Sequence, residues 1–160
     1  MSNDNSDSRQ GEPRYLGYDE LVAINERVAS TFTPDEPRGV HQAGSLEAAQ
    51  NRPAFQHYYA GNHDLIALAA VLFEGVALKH PFLSANKRTA FAACRVFLLL
   101  NGARFDPPTD ETIEVTLGLV DGTYSLAQVA YWISLYTEVV EPSPLADAIE
   151  AGIPPENGPS

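Results

Sequence analysis

Apolar residues recur at helical spacing through most of the middle of the chain. In YDELVAINERVAS, Leu21, Ile24 and Val28 share one face and predict a helix over 19–30. A connection from Thr31 to Gly44 follows, carrying Pro34, Pro37, Gly39 and Gly44; a link of that length inside a compact domain is often functional. Ser45 is placed to cap a short helix, LEAAQNR, which Pro53 should stop. With Asn62 as cap, DLIALAAVLFEGVALKH is apolar on most of its circumference. After a break at His80-Pro81, ANKRTAFAACRVFLLLN repeats that pattern as far as the stop signal Asn101-Gly102. Helices apolar nearly all round belong at the centre of a bundle, and two joined by a short loop should pack side by side. ARFDPP reads as a turn, Thr109 then caps TDETIEVTLGLV, and Ser125 with Gln128 forms a capping box for SLAQVAYWISLYTEV. Tyr131, Trp132 and Tyr136 in that last segment are expected in the core. The β signal is weak and no internal repeat is visible, so the pattern predicts a compact all-α bundle of six to seven helices.

The ends differ from this middle. Residues 1–14 have almost nothing to bury and read as a disordered lead-in. Residues 141–160 are rich in Pro, Gly and acids and read as a flexible tail in which only LADAI could turn helically. That leaves one domain over 15–140, in keeping with 160 residues of which 44% are hydrophobic. Acids outnumber Lys and Arg by 21 to 10, for a net charge of −11, which argues against nonspecific binding to nucleic acid or an anionic membrane. The longest apolar run, Ala67 to Phe73, is far too short for a bilayer span, and the single cysteine, Cys94, sits in an apolar segment as a small core residue. The expected location is the cytoplasm. His57 and His63 lie near Asp64, but HYYAGNHD lacks metal-ligand spacing and reads as a surface turn.

Charge is not spread evenly. Four of the ten cations (Lys79, Lys87, Arg88 and Arg95) fall within seventeen residues, around the loop KHPFLSANKRTA between the two most apolar helices. Pro81 disfavours helix at His80, Phe82 suits an anchor into the core, and Ser84 is expected to be the N-cap of the next helix. The first-turn amides of Ala85, Asn86 and Lys87 would then form an anion site. Lys87 and Arg88 stand against the helix dipole there, at a cost of roughly 0.3–1 kcal/mol each, which a bound anion would offset. A polyphosphate fits that place. An imidazole, a group that titrates near neutrality, stands about one turn away and could take a proton from an attacking hydroxyl. These residue types point to phosphoryl or nucleotidyl transfer.

The same loop resembles the signature of the Fic/Doc (Fido) superfamily, roughly H-x-F-x-(D/E)-(A/G)-N-(G/K)-R, with His80, Phe82, Asn86 and Arg88 at matching positions. GSLEAAQNRP upstream and TAFAACRVFLLLNGARF downstream are similar to stretches of the Doc (death-on-curing) branch, so the resemblance covers roughly 19–136. It implies a compact helical Fido fold. Lysine at 87 followed by Arg-Thr-Ala is the Doc-like form, whereas AMP-transferring Fic enzymes carry glycine at that position and a second arginine where this chain has Phe91. The Doc branch implies a toxin that phosphorylates a threonine of elongation factor Tu from ATP and Mg²⁺. In that role His80 is the base, Ser84, Ala85, Asn86, Lys87 and Arg88 bind nucleotide phosphates, and Phe82 anchors the loop. The family's self-inhibitory pattern, (S/T)-x-x-x-E-(G/N), has no complete match, which implies restraint by a separate small antitoxin. The 31–44 connection, with Arg38 and His41, would be a flap over the substrate. Ser84 departs from the pattern: it stands where the family has an acidic Mg²⁺ ligand, and a hydroxyl is a weaker donor for a hard cation. Two other readings stay open beside the kinase, an AMP transferase and an impaired member that only binds nucleotide or antitoxin.

Overall fold

A computed structural model describes residues 12–154. It contains seven helices, α1 (Tyr18–Phe32), α2 (Ala43–Tyr59), α3 (Leu65–Lys79), α4 (Asn86–Leu100), α5 (Thr109–Asp121), α6 (Leu126–Leu135) and α7 (Leu145–Gly152). Two three-residue strands, β1 (Ala103–Phe105) and β2 (Thr137–Val139), complete the described elements. The all-α class predicted from the pattern is the one observed, with this small antiparallel pair added. Residues 1–11 of the expected lead-in, and 155–160 of the expected tail, lie outside the described residues.

The two apolar segments form the central pair, α3 against α4, with α2 and α6 covering α3 and with α1, α7 and β1 covering α4. Their composition makes this obligatory. Nine residues of α3 and eleven of α4 are buried, too many for a single face. Phe73 on α3, Phe97 on α4 and Phe105 on β1 are fully buried, each contributing about 1.5–3 kcal/mol over an exposed ring. Gly75 lets α2 and α3 approach closely, since a Cβ there would lie 3.2 Å from the Ala49 Cβ and 3.3 Å from its Cα. At the far end of α4, Gly102 takes φ +83° and its amide donates to Leu99 O at 3.3 Å, the expected glycine stop. The Ser125–Gln128 capping box is also present: Gln128 N donates to Ser125 Oγ at 3.2 Å and Ser125 N donates to Gln128 Oε1 at 2.8 Å.

Local rules give way where tertiary burial opposes them. Pro53 does not stop α2; it lies inside the helix, buried in the stripe Leu46, Ala49, Pro53 and His57 that faces the bundle. Ser45 and Thr109 lie inside the helices they were expected to cap, and Asp64 rather than Asn62 caps α3 by accepting from Ile66 N at 3.0 Å. ARF, read as a turn, is β1. It pairs with TEV, read as the end of the last helix, in the register Ala103 to Val139 and Phe105 to Thr137. Tyr131 is 67% exposed, so only Trp132 of the three aromatics is a core residue, with Tyr136 half-buried. Residues 141–154 are likewise no free tail. Helix α7 buries Ala148 and Gly152 against α4, and Ser143 N donates to Leu99 O at 2.9 Å. No helix among the described residues is long and apolar enough to cross a membrane.

Candidate active site

The polar loop is held between two left-handed residues. His80 closes α3 at φ 47°, ψ 55° and Ala85 precedes α4 at φ 61°, ψ 30°; they are the only non-glycine residues with positive φ among those described. Each costs roughly 1–2 kcal/mol relative to ordinary backbone, so the surroundings must hold the turn in place. Several contacts do so. The Phe82 ring is 2% exposed, inside the core. The Asn86 side chain braces the turn from both sides: its Oδ1 accepts from Phe82 N and its Nδ2 donates to Phe82 O, both at 3.0 Å. From α1, buried Asn25 donates through Nδ2 to Ser84 O and to Thr89 Oγ1, both at 3.1 Å.

The connection between α1 and α2 clamps the outer side of the same loop. Val40 bridges Phe82 in antiparallel fashion, Leu83 N donates to Gly39 O at 2.9 Å, and His41 N and Gln42 N donate to Pro81 O at 2.7 and 3.0 Å. Arg38 is tied to Glu26 at 2.9 Å. This segment, expected to be a flap, is hydrogen-bonded along the loop by its backbone.

One cleft of about 550 Å³ opens where the loop meets α4, a volume within the range of small-molecule sites. His80, Ala85, Asn86, Lys87 and Arg88 line one wall, and Phe91 and Arg95 continue it along α4. The end of α1 contributes Phe32 and Thr33, and α5 contributes Ile113 and Leu117. His80 is exposed at this wall. The Arg88 guanidinium lies over the Phe32 ring, 4.6 Å from its centroid, a cation–π contact that sets its height. Arg95 is half-buried: its Nε donates to Phe105 O at 3.1 Å, its Nη1 to Gly152 O at 3.3 Å, and its Nη2 lies 3.8 Å from Asp106. Burial lowers the Arg95 pKa and the Asp106 carboxylate beside it pulls the other way. Burial also pushes the neighbouring Cys94 thiol well above its ordinary value, so this cysteine is an inert core group.

Of the residues singled out from sequence, His80, Ala85, Asn86, Lys87 and Arg88 meet at the cleft, and Phe82 lies beneath them. Ser84 is not with them. It is not the N-cap of α4, a position taken by Ala85 without any side-chain cap, and its hydroxyl is buried with no hydrogen-bond partner. The left-handed turn at Ala85 delays the helix by a residue and leaves Ser84 on the core side. Ser84 therefore does not fit the role of Mg²⁺ ligand. Glu74 is paired with Arg52 at 2.8 Å and Asp64 caps α3, so neither replaces it. Glu36 and Asp106 are the carboxylates on the cleft wall, and no three His, Cys, Asp or Glu residues come together as a metal site among those described.

Asn25 is the residue that sequence reasoning missed. Its signal was available, since it is a polar side chain one helical turn from both Leu21 and Val28 on the buried face of α1. His57 and His63 are not a surface turn alone: His57 is 6% exposed and its Nε2 faces His63 Nδ1 at 3.3 Å.

The model of the Fic/DOC family matches residues 15–98. The protein kinase doc of Escherichia phage P1 is 31% identical over 118 residues, which is 73% of this chain and 90% of that protein.

Proposed function

The chain belongs to the Fic/DOC family, and from that premise we propose that it is a Doc-like phosphotransferase, moving the γ-phosphoryl group of ATP to a hydroxyl side chain of a protein. The observation that carries the reading is the wall formed by the strained loop and the start of α4. It puts an exposed imidazole, uncapped first-turn amides and two cations on one side of a cleft with apolar surfaces opposite. The amides at the start of α4, with Lys87 and Arg88, hold the phosphates. Phe91, Ile113 and Leu117 offer apolar surface to the base. His80 takes the proton of the target hydroxyl as its oxygen attacks the γ-phosphorus; the bond from that phosphorus to the bridging oxygen breaks, and ADP leaves. Mg²⁺ would neutralise charge on the phosphates, but the enclosed Ser84 hydroxyl gives it no ligand.

The target class follows from the relative and from the resemblance: a protein hydroxyl, with a threonine of elongation factor Tu as the first to test. Restraint by a small antitoxin docked on the bundle belongs to the same reading, which makes the protein the toxin of a pair. Phe91 counts against AMP transfer, because its ring occupies the cleft wall where a second arginine would be needed. The buried Ser84 hydroxyl favours a second reading, a module that binds nucleotide without transferring it.

Incubation with elongation factor Tu or cell extract and ATP labelled at either the α- or the γ-phosphate separates these. Label from the γ position alone is expected. Label from the α position would make the protein a nucleotidyl transferase, and bound nucleotide with no transfer of either label would make it a binding module.

A further inference from the structure

We infer that the cleft takes its nucleotide as the free polyphosphate anion, with no divalent ion bridging the phosphates to the loop; this rests on the nucleotide reading above. The segment from Lys79 to Arg88 contains no carboxylate, and its one hydroxyl, that of Ser84, is enclosed in protein and absent from the cleft wall. Swinging that hydroxyl outward would mean reshaping a turn fixed by Asn25 at Ser84 O and by the Asn86 brace on Phe82. Among the described residues, the carboxylates that do reach the cleft belong to other elements. Asp106 lies beside Arg95, two helical turns beyond the start of α4, and Glu36 stands in the connection after α1.

Positive charge is supplied by the protein instead. Lys87 and Arg88 occupy the first turn of α4, and the uncapped amides of that turn add the positive end of the helix dipole. A hard dication usually keeps several waters and needs one or two carboxylates besides the phosphates. Here it would meet a lysine and an arginine, so chelation would weaken the contacts the free anion makes with both. Losing one charge-assisted hydrogen bond corresponds to roughly a tenfold loss of affinity.

Calorimetric titration of the full chain with the β,γ-imido analogue of ATP, in EDTA and again in excess Mg²⁺, tests this. The expected result is binding in EDTA that is ~tenfold tighter than in Mg²⁺, with Lys87→Gln weakening the EDTA complex more than the Mg²⁺ complex. Binding seen only with Mg²⁺, and weakened by Lys87→Gln equally or not at all, overturns the inference while leaving the nucleotide reading intact. No binding of the analogue under either condition, by a chain that still unfolds cooperatively, overturns both.

Discussion

His80 and Ser84 sit four residues apart in one loop and do opposite things. The imidazole is exposed at the cleft and makes no side-chain hydrogen bond or ion pair among the described residues, so His80→Ala is expected to lower transfer at least ~100-fold with the unfolding free energy changed by no more than about 0.5 kcal/mol. Transfer at the parental rate in that variant would remove His80 from the mechanism. Ser84 is the reverse case. A buried hydroxyl without a partner gives up its bonds to water and gains none in the fold, so Ser84→Ala should be neutral or stabilising by up to about 1 kcal/mol. Ser84→Asp puts a charge in the same enclosed place and should destabilise by ~2 kcal/mol or more. Urea unfolding of the two variants checks the pair; a Ser84→Ala protein that loses stability would mean the hydroxyl has a partner after all. The loop's polar residues and their spacing were legible in the sequence, because His, Asn, Lys and Arg are rare together at a helix start. The direction of Ser84 was not legible. It depends on the left-handed turn at Ala85, a conformation that an alanine does not announce.

Element α7 shows how a weak local signal can still yield a docked helix. Eight residues cannot hold a helix alone, and what holds this one is contact with α4. Its last residue, Gly152, packs so closely that an added Cβ would lie 2.5 Å from Val96 Cγ2 and 3.3 Å from Val96 N. Gly152→Ala should therefore cost about 1–3 kcal/mol, more than the roughly 0.5–1 kcal/mol that alanine gains in helix propensity. A double-mutant cycle with Val96→Ala should show a coupling of ~1 kcal/mol or more, as that branched side chain is the one displaced. Strict additivity in urea unfolding would place the strain elsewhere. The same substitution should loosen Arg95, whose Nη1 donates to Gly152 O, and so disturb the cleft from behind. Elements α1, α3, α4 and α6 were readable because each carries a strong apolar pattern or a cap. The continuation of α2 through Pro53, the strands β1 and β2, and the docking of α7, of which only LADAI could be read as helical, were not readable, because each depends on a partner distant in sequence: Pro53 on the bundle face, the strands on one another, and α7 on α4.

Packing and charge pull in opposite directions across the whole molecule, and removing its C-terminal segment shows which prevails. Ending the chain at Val140 deletes four carboxylates and no cation, taking the net charge from −11 to −7. Less self-repulsion should help the compact state, yet exposed charges are screened over about 10 Å at 0.1 M salt and each contributes under about 1 kcal/mol. Against this, the deletion strips α7 from α4, exposing the surface that covers Ala148 and Gly152 and that packs against the partly buried Leu145, Ile149 and Ile153. The loss corresponds to two or three apolar side chains, about 3–9 kcal/mol. It also removes the Gly152 carbonyl from Arg95 and the Glu150 carboxylate from Arg27. Packing should win at ordinary ionic strength. The protein ending at 140 is expected to melt ~5–15 °C lower than the full chain and to bind a hydrophobic dye. Equal midpoints for the two would show that α7 contributes nothing to the core, and that the folded unit ends where the composition changes.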